Sequence, residues 1–108
     1  MEIIATTAFI KSAKALSKKY RSFNSDYQNL LNELEKNPRS GVDLGDGYRK
    51  VRMSIAAKGK GKSGGCRVIT LDLLEKNECL YLLYIYDKSE YDNVVLATIK
   101  AIAAEMGL

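Results

Sequence analysis

The sequence predicts a small α+β fold: two N-terminal helices and a C-terminal helix on an antiparallel sheet of three to five strands. Three observations carry this. Apolar residues recur at helical spacing as far as Asn37, alternate or run continuously between Tyr48 and Tyr86, and return to helical spacing from Val95. Short connections between the strands imply an antiparallel meander, with the helices on one side of a twisted sheet. The 108 residues are read as one domain spanning residues 1–108, enough for a single modest core.

Met1–Thr7 is a short first strand through Ile3 and Ile4. Ala8–Tyr20 is a helix, with Phe9, Ala13, Leu16 and Tyr20 on one face and Lys11, Lys14, Lys18 and Arg21 on another. Ser25 and Gln28 make a capping box for a second helix, whose buried stripe is Leu30, Leu31 and Leu34 and which Asn37-Pro38 stops. Arg39–Gly47, with three glycines, is a loop. Tyr48–Ala56 alternates, Val51, Met53 and Ile55 on one face and Lys50, Arg52 and Ser54 on the other. Cys66–Leu74 is the next strand, and Leu80–Tyr86 is apolar enough to be buried on both faces. Ser89 or Asp92 caps a last helix with Val95, Ile99, Ile102 and Met106 inward, ending at Gly107.

Charge is distributed unevenly. The chain has 17 Lys and Arg against 13 Asp and Glu, and seven of the 17 (Arg49, Lys50, Arg52, Lys58, Lys60, Lys62, Arg67) lie between Arg49 and Arg67 with no acid among them. Without that segment the balance is 10 against 13, so the whole positive excess is local. Charge this concentrated suits a polyanion. Lys58–Gly65 alternates lysine with glycine and cannot pack as a core; it offers flexible ammonium groups and open backbone amides to phosphates. Neighbouring lysines also raise the cost of protonating one another, which favours a usable proton donor or acceptor.

Several chemistries are excluded. With no histidine, imidazole catalysis and His-ligated metals are absent, and acid–base work falls to Lys, Tyr, Arg or carboxylates. Two cysteines, Cys66 and Cys79, argue against a zinc site, and no metal or other cofactor is expected. The relaxed phosphate-loop pattern Ala56-x-x-x-x-Gly61-Lys62-Ser63 is followed by strand-like residues where that loop needs a helix N-terminus. No apolar run reaches the roughly 20 residues that span a bilayer, and Met1–Phe9 lacks an export pattern. The expected location is the cytoplasm, with no membrane partner.

Strand pairing sharpens the basic segment. A turn centred on Lys76-Asn77 sets Arg67 opposite Tyr86, Cys66 near Asp87 and Cys79 near Leu74, too far apart for a disulfide. Arg67, Tyr86 and Lys88 then converge at the sheet end that carries the lysine loop. The analogous register for the preceding hairpin puts Lys50 and Arg52 on the other face from Arg67, and a one-residue slip reverses that. The bland alternatives are cross-strand packing for Tyr86 and a rim ion pair with Asp87 or Glu90 for Arg67.

Arg49-Lys50-Val51-Arg52, then Lys58 to Ile69 (KGKGKSGGCRVI), then Tyr81 to Glu90 (YLLYIYDKSE), resemble the HigB branch of the RelE/ParE toxin superfamily. The resemblance implies a RelE-like fold and a toxin of a type II toxin–antitoxin pair. The implied activity is metal-independent, ribosome-dependent mRNA cleavage by 2′-hydroxyl attack on the adjacent phosphate. The implied partners are the ribosomal A site with its mRNA and a cognate antitoxin, expected to be a helix-turn-helix DNA-binding protein. By the same resemblance Arg67, Lys60, Tyr86 and Lys88 are the catalytic set, with Arg67 at the developing phosphorane, and Lys50, Arg52, Lys58 and Lys62 bind RNA. Which Lys or Tyr is acid and which is base stays open. The alternatives are a ParE-like gyrase poison, against which the lysine loop argues, and a non-catalytic RNA-binding protein or degenerate toxin.

Overall fold

The computed structural model describes residues 1–90 and 94–108. Its elements are β1 (Glu2–Ala5), α1 (Thr7–Lys19), α2 (Phe23–Lys36), β2 (Val42–Gly45), β3 (Tyr48–Met53), β4 (Cys66–Leu73), a one-turn α3 (Leu74–Asn77), β5 (Cys79–Asp87) and α4 (Leu96–Glu105). Two 3-10 turns, Ala56–Lys58 and Lys62–Gly64, lie between β3 and β4. The strands form one sheet in the order β1-β5-β4-β3-β2.

The sheet is mixed, which corrects the antiparallel expectation. β2, β3, β4 and β5 pair antiparallel in sequence order, but β1 runs parallel to β5, Glu2 opposite Cys79 and Ala5 opposite Leu82. No hairpin turn follows β1: the chain passes into two helices and returns to β1 only through its last strand, and a parallel pair needs such a long connection. Thr6 makes the first bend. Its hydroxyl accepts the Phe9 N–H at 3.2 Å, capping α1, and donates to the Leu83 carbonyl at 3.0 Å, tying that cap to β5.

The helices occupy both sides of the sheet, not one. Phe9 and Leu16 of α1 and Phe23, Leu30 and Leu34 of α2 pack with Val51, Met53, Val68, Leu80, Leu82 and Ile85. Ile99 and Ala103 of α4 pack with Tyr48, Ile69, Leu71, Leu83 and Tyr86 on the opposite face. The apolar run of β5 already required this, because a strand apolar on both faces needs cover on both. Each such side chain, fully buried, contributes roughly 1.5–3 kcal/mol.

Three local differences have local causes. α2 begins at Phe23, so Ser25 lies inside it, and Ser22 at the cap position makes no side-chain cap. Instead the Ser22 hydroxyl donates to Asp26 at 2.7 Å and accepts the Ala57 N–H at 2.9 Å, while Asp26 accepts the Ala56 N–H at 3.1 Å. Val42–Gly45 is a strand where a loop was expected. Asp46 and Gly47, both at positive φ (56° and 88°), turn it back so that Gly45 faces Tyr48, the type I′ pattern that Asp-Gly favours. In α4, Ile99 and Ala103 are buried, Ile102 and Met106 are half-buried, and Val95 is 70% exposed. Ser89 binds back to Asp87 instead of capping α4, and Asp92 lies outside the described residues.

Gly65 closes the connection into β4. A Cβ there would sit 2.0 Å from the Met53 carbonyl oxygen, so only glycine lets the returning chain lie against the end of β3. Gly65→Ala is expected to cost about 1–3 kcal/mol, the range for overpacking. A lowered denaturant midpoint would be the sign of it, and an unchanged midpoint would show that the two backbones separate freely.

Candidate nucleic-acid interface

The register of β3, β4 and β5 decides which basic side chains meet. Arg67 lies opposite Tyr86 and Cys66 opposite Asp87, as the turn arithmetic expects. A bulge between Ile69 and Thr70 then shifts the ladder by one, so Cys79 faces Leu73 instead of Leu74. Both cysteines are free, at opposite ends of that ladder. Burial pushes the Cys66 thiol up to about 11, which fits an inert filler.

On the other side of β4 the structure reverses an expectation. Arg52 is directly opposite Arg67, and Lys50 opposite Ile69. Val51 and Met53 enter the core under α1 and α2 beside Val68, so alternation sends Lys50 and Arg52 to the same face as Arg67. Arg52, Arg67 and Tyr86 thus form one row across three strands, with Lys50 and Tyr84 in the next row. The Tyr84 and Tyr86 rings stack with centroids 6.4 Å apart.

The fold sorts six of the seven basic residues into two sets. Three meet carboxylates from elsewhere in the chain. Arg49 binds Asp72 at 2.9 Å, sharing one oxygen with Arg39 at 2.7 Å beside a cavity of about 430 Å³. Lys58 binds Asp87 at 2.6 Å, and Lys62 binds Glu33 at 3.1 Å. By contrast Arg52, Lys60 and Arg67 make no ion pair among the described residues. Asp87 and Glu90, the proposed rim partners of Arg67, pair with Lys58 and Lys19 instead.

Lys58 is therefore separated from the arginine row. Asp87 is wholly buried and belongs with Ile85 on the α1 side of β5. It accepts from Lys58, from the Tyr20 hydroxyl, and from the Ser89 N–H and hydroxyl at 3.0 and 2.8 Å. The Lys58 ammonium also stands 5.8 Å from the Tyr20 ring centroid. Burial alone would raise the Asp87 carboxyl, but these donors outweigh it and hold the group well below the usual carboxylate range. Sequence reasoning missed this cluster. Asp87 with Ser89 two residues on is an Asx-turn signal, but nothing local announces Tyr20 or Lys58 as its partners.

Arg67 is 5% exposed, and its guanidinium is directed at backbone. Nη1 donates to the carbonyls of Lys62 (2.9 Å) and Cys66 (3.1 Å), and Nη2 to that of Ser63 (2.9 Å). Burial, and after it the neighbouring Arg52 charge, lower its pKa. Tyr86 is buried, and burial raises its phenol above the ordinary value, with Arg67 pulling the other way. A phenol so placed stays protonated and suits the proton donor better than the base. Lys60 and Lys88 are exposed. The Lys60 stem lies against Gly64, where a Cβ would come within 2.4 Å of it, and the Lys88 N–H donates to the Gly65 carbonyl at 3.2 Å. Lys62 and Ser63 lie in the 3-10 turn Lys62–Gly64, and β4 follows it, so the helix a phosphate loop requires is not there.

Among the described residues, no three or more His, Cys, Asp or Glu side chains form a group that could hold a metal ion. No helix among them is long and apolar enough to cross a membrane. The sequence matches no protein-family model.

Proposed function

We propose that this chain is a HigB-type toxin of the RelE/ParE superfamily that cuts mRNA on the ribosome and is held in check by a cognate antitoxin. One observation carries the reading: Arg52 stands directly across from Arg67, with Tyr86 next in the row and no carboxylate paired to either arginine among the described residues. Like charges directly opposite on a sheet are destabilising, and an anionic ligand relieves that cost. The ladder of phosphates in RNA is such a ligand.

In the proposed reaction the 2′-hydroxyl attacks the adjacent phosphorus in line, and the 5′ oxygen of the next nucleotide leaves. The products are a 2′,3′-cyclic phosphate and a 5′-hydroxyl. Arg52, exposed, meets the phosphate oxygens and favours the phosphorane, with Arg67 buried behind it. Tyr86 protonates the leaving oxygen, the neutral amine form of an exposed lysine (Lys60 or Lys88) takes the proton of the 2′-hydroxyl and becomes the ammonium, and Lys50 extends the positive face.

The deciding experiment adds purified protein to translating ribosomes and maps the mRNA ends. Fragments with 5′-hydroxyl termini are expected. Intact mRNA would overturn the ribonuclease reading, and intact mRNA with trapped cleaved DNA would replace it with the gyrase reading.

A further inference from the structure

We infer that Arg67 is a positioning residue of the proposed site: it pins the lysine loop between β3 and β4 through that loop's own carbonyls, and meets RNA only through the loop. The substrate class rests on the reading above; the pinning does not.

Three donor bonds from one guanidinium to backbone oxygens leave Arg67 poorly placed to fork around a phosphate. Two of these oxygens, on Lys62 and Ser63, belong to the lysine loop, and the third, on Cys66, opens β4. The guanidinium therefore joins the loop to the strand as a staple would. The loop has little else to hold its tip. Lys58 is fixed at one end by Asp87 and Gly65 at the other by the end of β3. Between them Gly59 and Gly61 both adopt positive φ (67° and 62°) with open space around them, so the backbone there gains nothing from packing. The Lys62 ammonium reaches Glu33, but that pair is about half exposed on both sides, and such pairs hold little. Orientation of the Lys62 and Ser63 backbone thus falls to Arg67, and Lys60 follows through its carbonyl, which accepts the Ser63 hydroxyl at 3.4 Å. A basic residue buried to this degree and bonded to neutral carbonyls orders a segment at the cost of its own hydration. That cost is explained if the segment must keep one shape.

Two measurements on the full chain test this. In amide hydrogen exchange without RNA, Arg67→Ala should speed exchange at the Gly65 amide, which donates to the Lys62 carbonyl that Arg67 holds, by about tenfold or more, the scale of a lost charged hydrogen-bond set. Amides of Val68–Leu71 should remain protected. Arg67→Lys, which keeps charge but not the fork, should give an intermediate rate and serves alone if the alanine variant does not fold. Loop exchange that is unchanged in a folded variant would overturn the pinning. The second measurement is a double-mutant cycle with a short single-stranded RNA carrying 2′-O-methyl groups, which binds but cannot be cut. Lys60→Ala should weaken wild type but weaken Arg67→Ala far less, because the loop that delivers Lys60 is already loose. Independent, multiplying losses would mean that Arg67 touches phosphate itself and would overturn the indirect role. If the wild-type chain bound no RNA, the RNA reading would fail while the exchange result stood on its own.

Discussion

Asp87→Ala should cost about 3–5 kcal/mol of stability, the expected penalty for removing one partner of a buried ion pair. The residue is wholly buried, and its loss leaves Lys58 desolvated with no counter-charge while Tyr20 and Ser89 lose their acceptor. Urea denaturation measures this directly, and a loss below about 1 kcal/mol, the level of a surface pair, would show that water reaches the cluster. Lys58→Met should cost less than Asp87→Ala, because the carboxylate keeps Tyr20 and Ser89. The same group sets an acid limit. Its folded-state pKa lies below the unfolded value of about 3.9. Its contribution is therefore complete above that unfolded value and is lost as pH falls through the folded one. In Asp87→Asn the fall in stability below about pH 4 should be shallower than in wild type; curves that stay parallel would assign the acid limit to other carboxylates.

On the proposed ribonuclease reading, Arg52→Ala should slow mRNA cleavage by about 100-fold or more, the scale of removing one donor to a developing oxyanion. Arg52 is exposed and takes no part in either core, so the variant should fold normally, which separates chemistry from stability. Arg52→Lys should recover only part of the rate, since an ammonium keeps the charge without the planar fork. Lys76→Ala, at the other end of the sheet, should cut at the wild-type rate. Single-turnover cleavage on programmed ribosomes reads all three, and a wild-type rate in Arg52→Ala would remove the residue from the site.

How much of this was legible in the sequence depends on how far each signal reaches. Periodicity located α1 and the three hairpin strands, because a helix or strand face is written in neighbouring residues. The pairing of Arg67 with Tyr86 followed from the short connection between β4 and β5, which allows few registers. The face of Arg52 did not follow: two 3-10 turns separate β3 from β4, and only the shared core of Val51, Met53 and Val68 fixes that register. The basic segment looked uniform because its acids lie far away in sequence. Asp87, Glu33 and Asp72 neutralise Lys58, Lys62 and Arg49 only once the chain has folded, so charge counting overestimated the number of cations available to a ligand. The parallel strand and the second helical layer were missed for one shared reason, that each depends on residues distant in sequence.

The β1–β5 pair has a consequence for how the chain is made. Glu2 and Cys79 are neighbours in the sheet but 77 positions apart in sequence. On the ribosome the first strand emerges long before its partner β5, and contacts of that separation form slowly. α1 and α2 likewise wait for the strands whose faces they cover. A half-made chain therefore has its two N-terminal helices without the sheet that completes their core, and the arginine row is not yet assembled. The register that aligns Arg52, Arg67 and Tyr86 exists only once β5 has been made. The nascent chain consequently carries its positive charge before it carries a site.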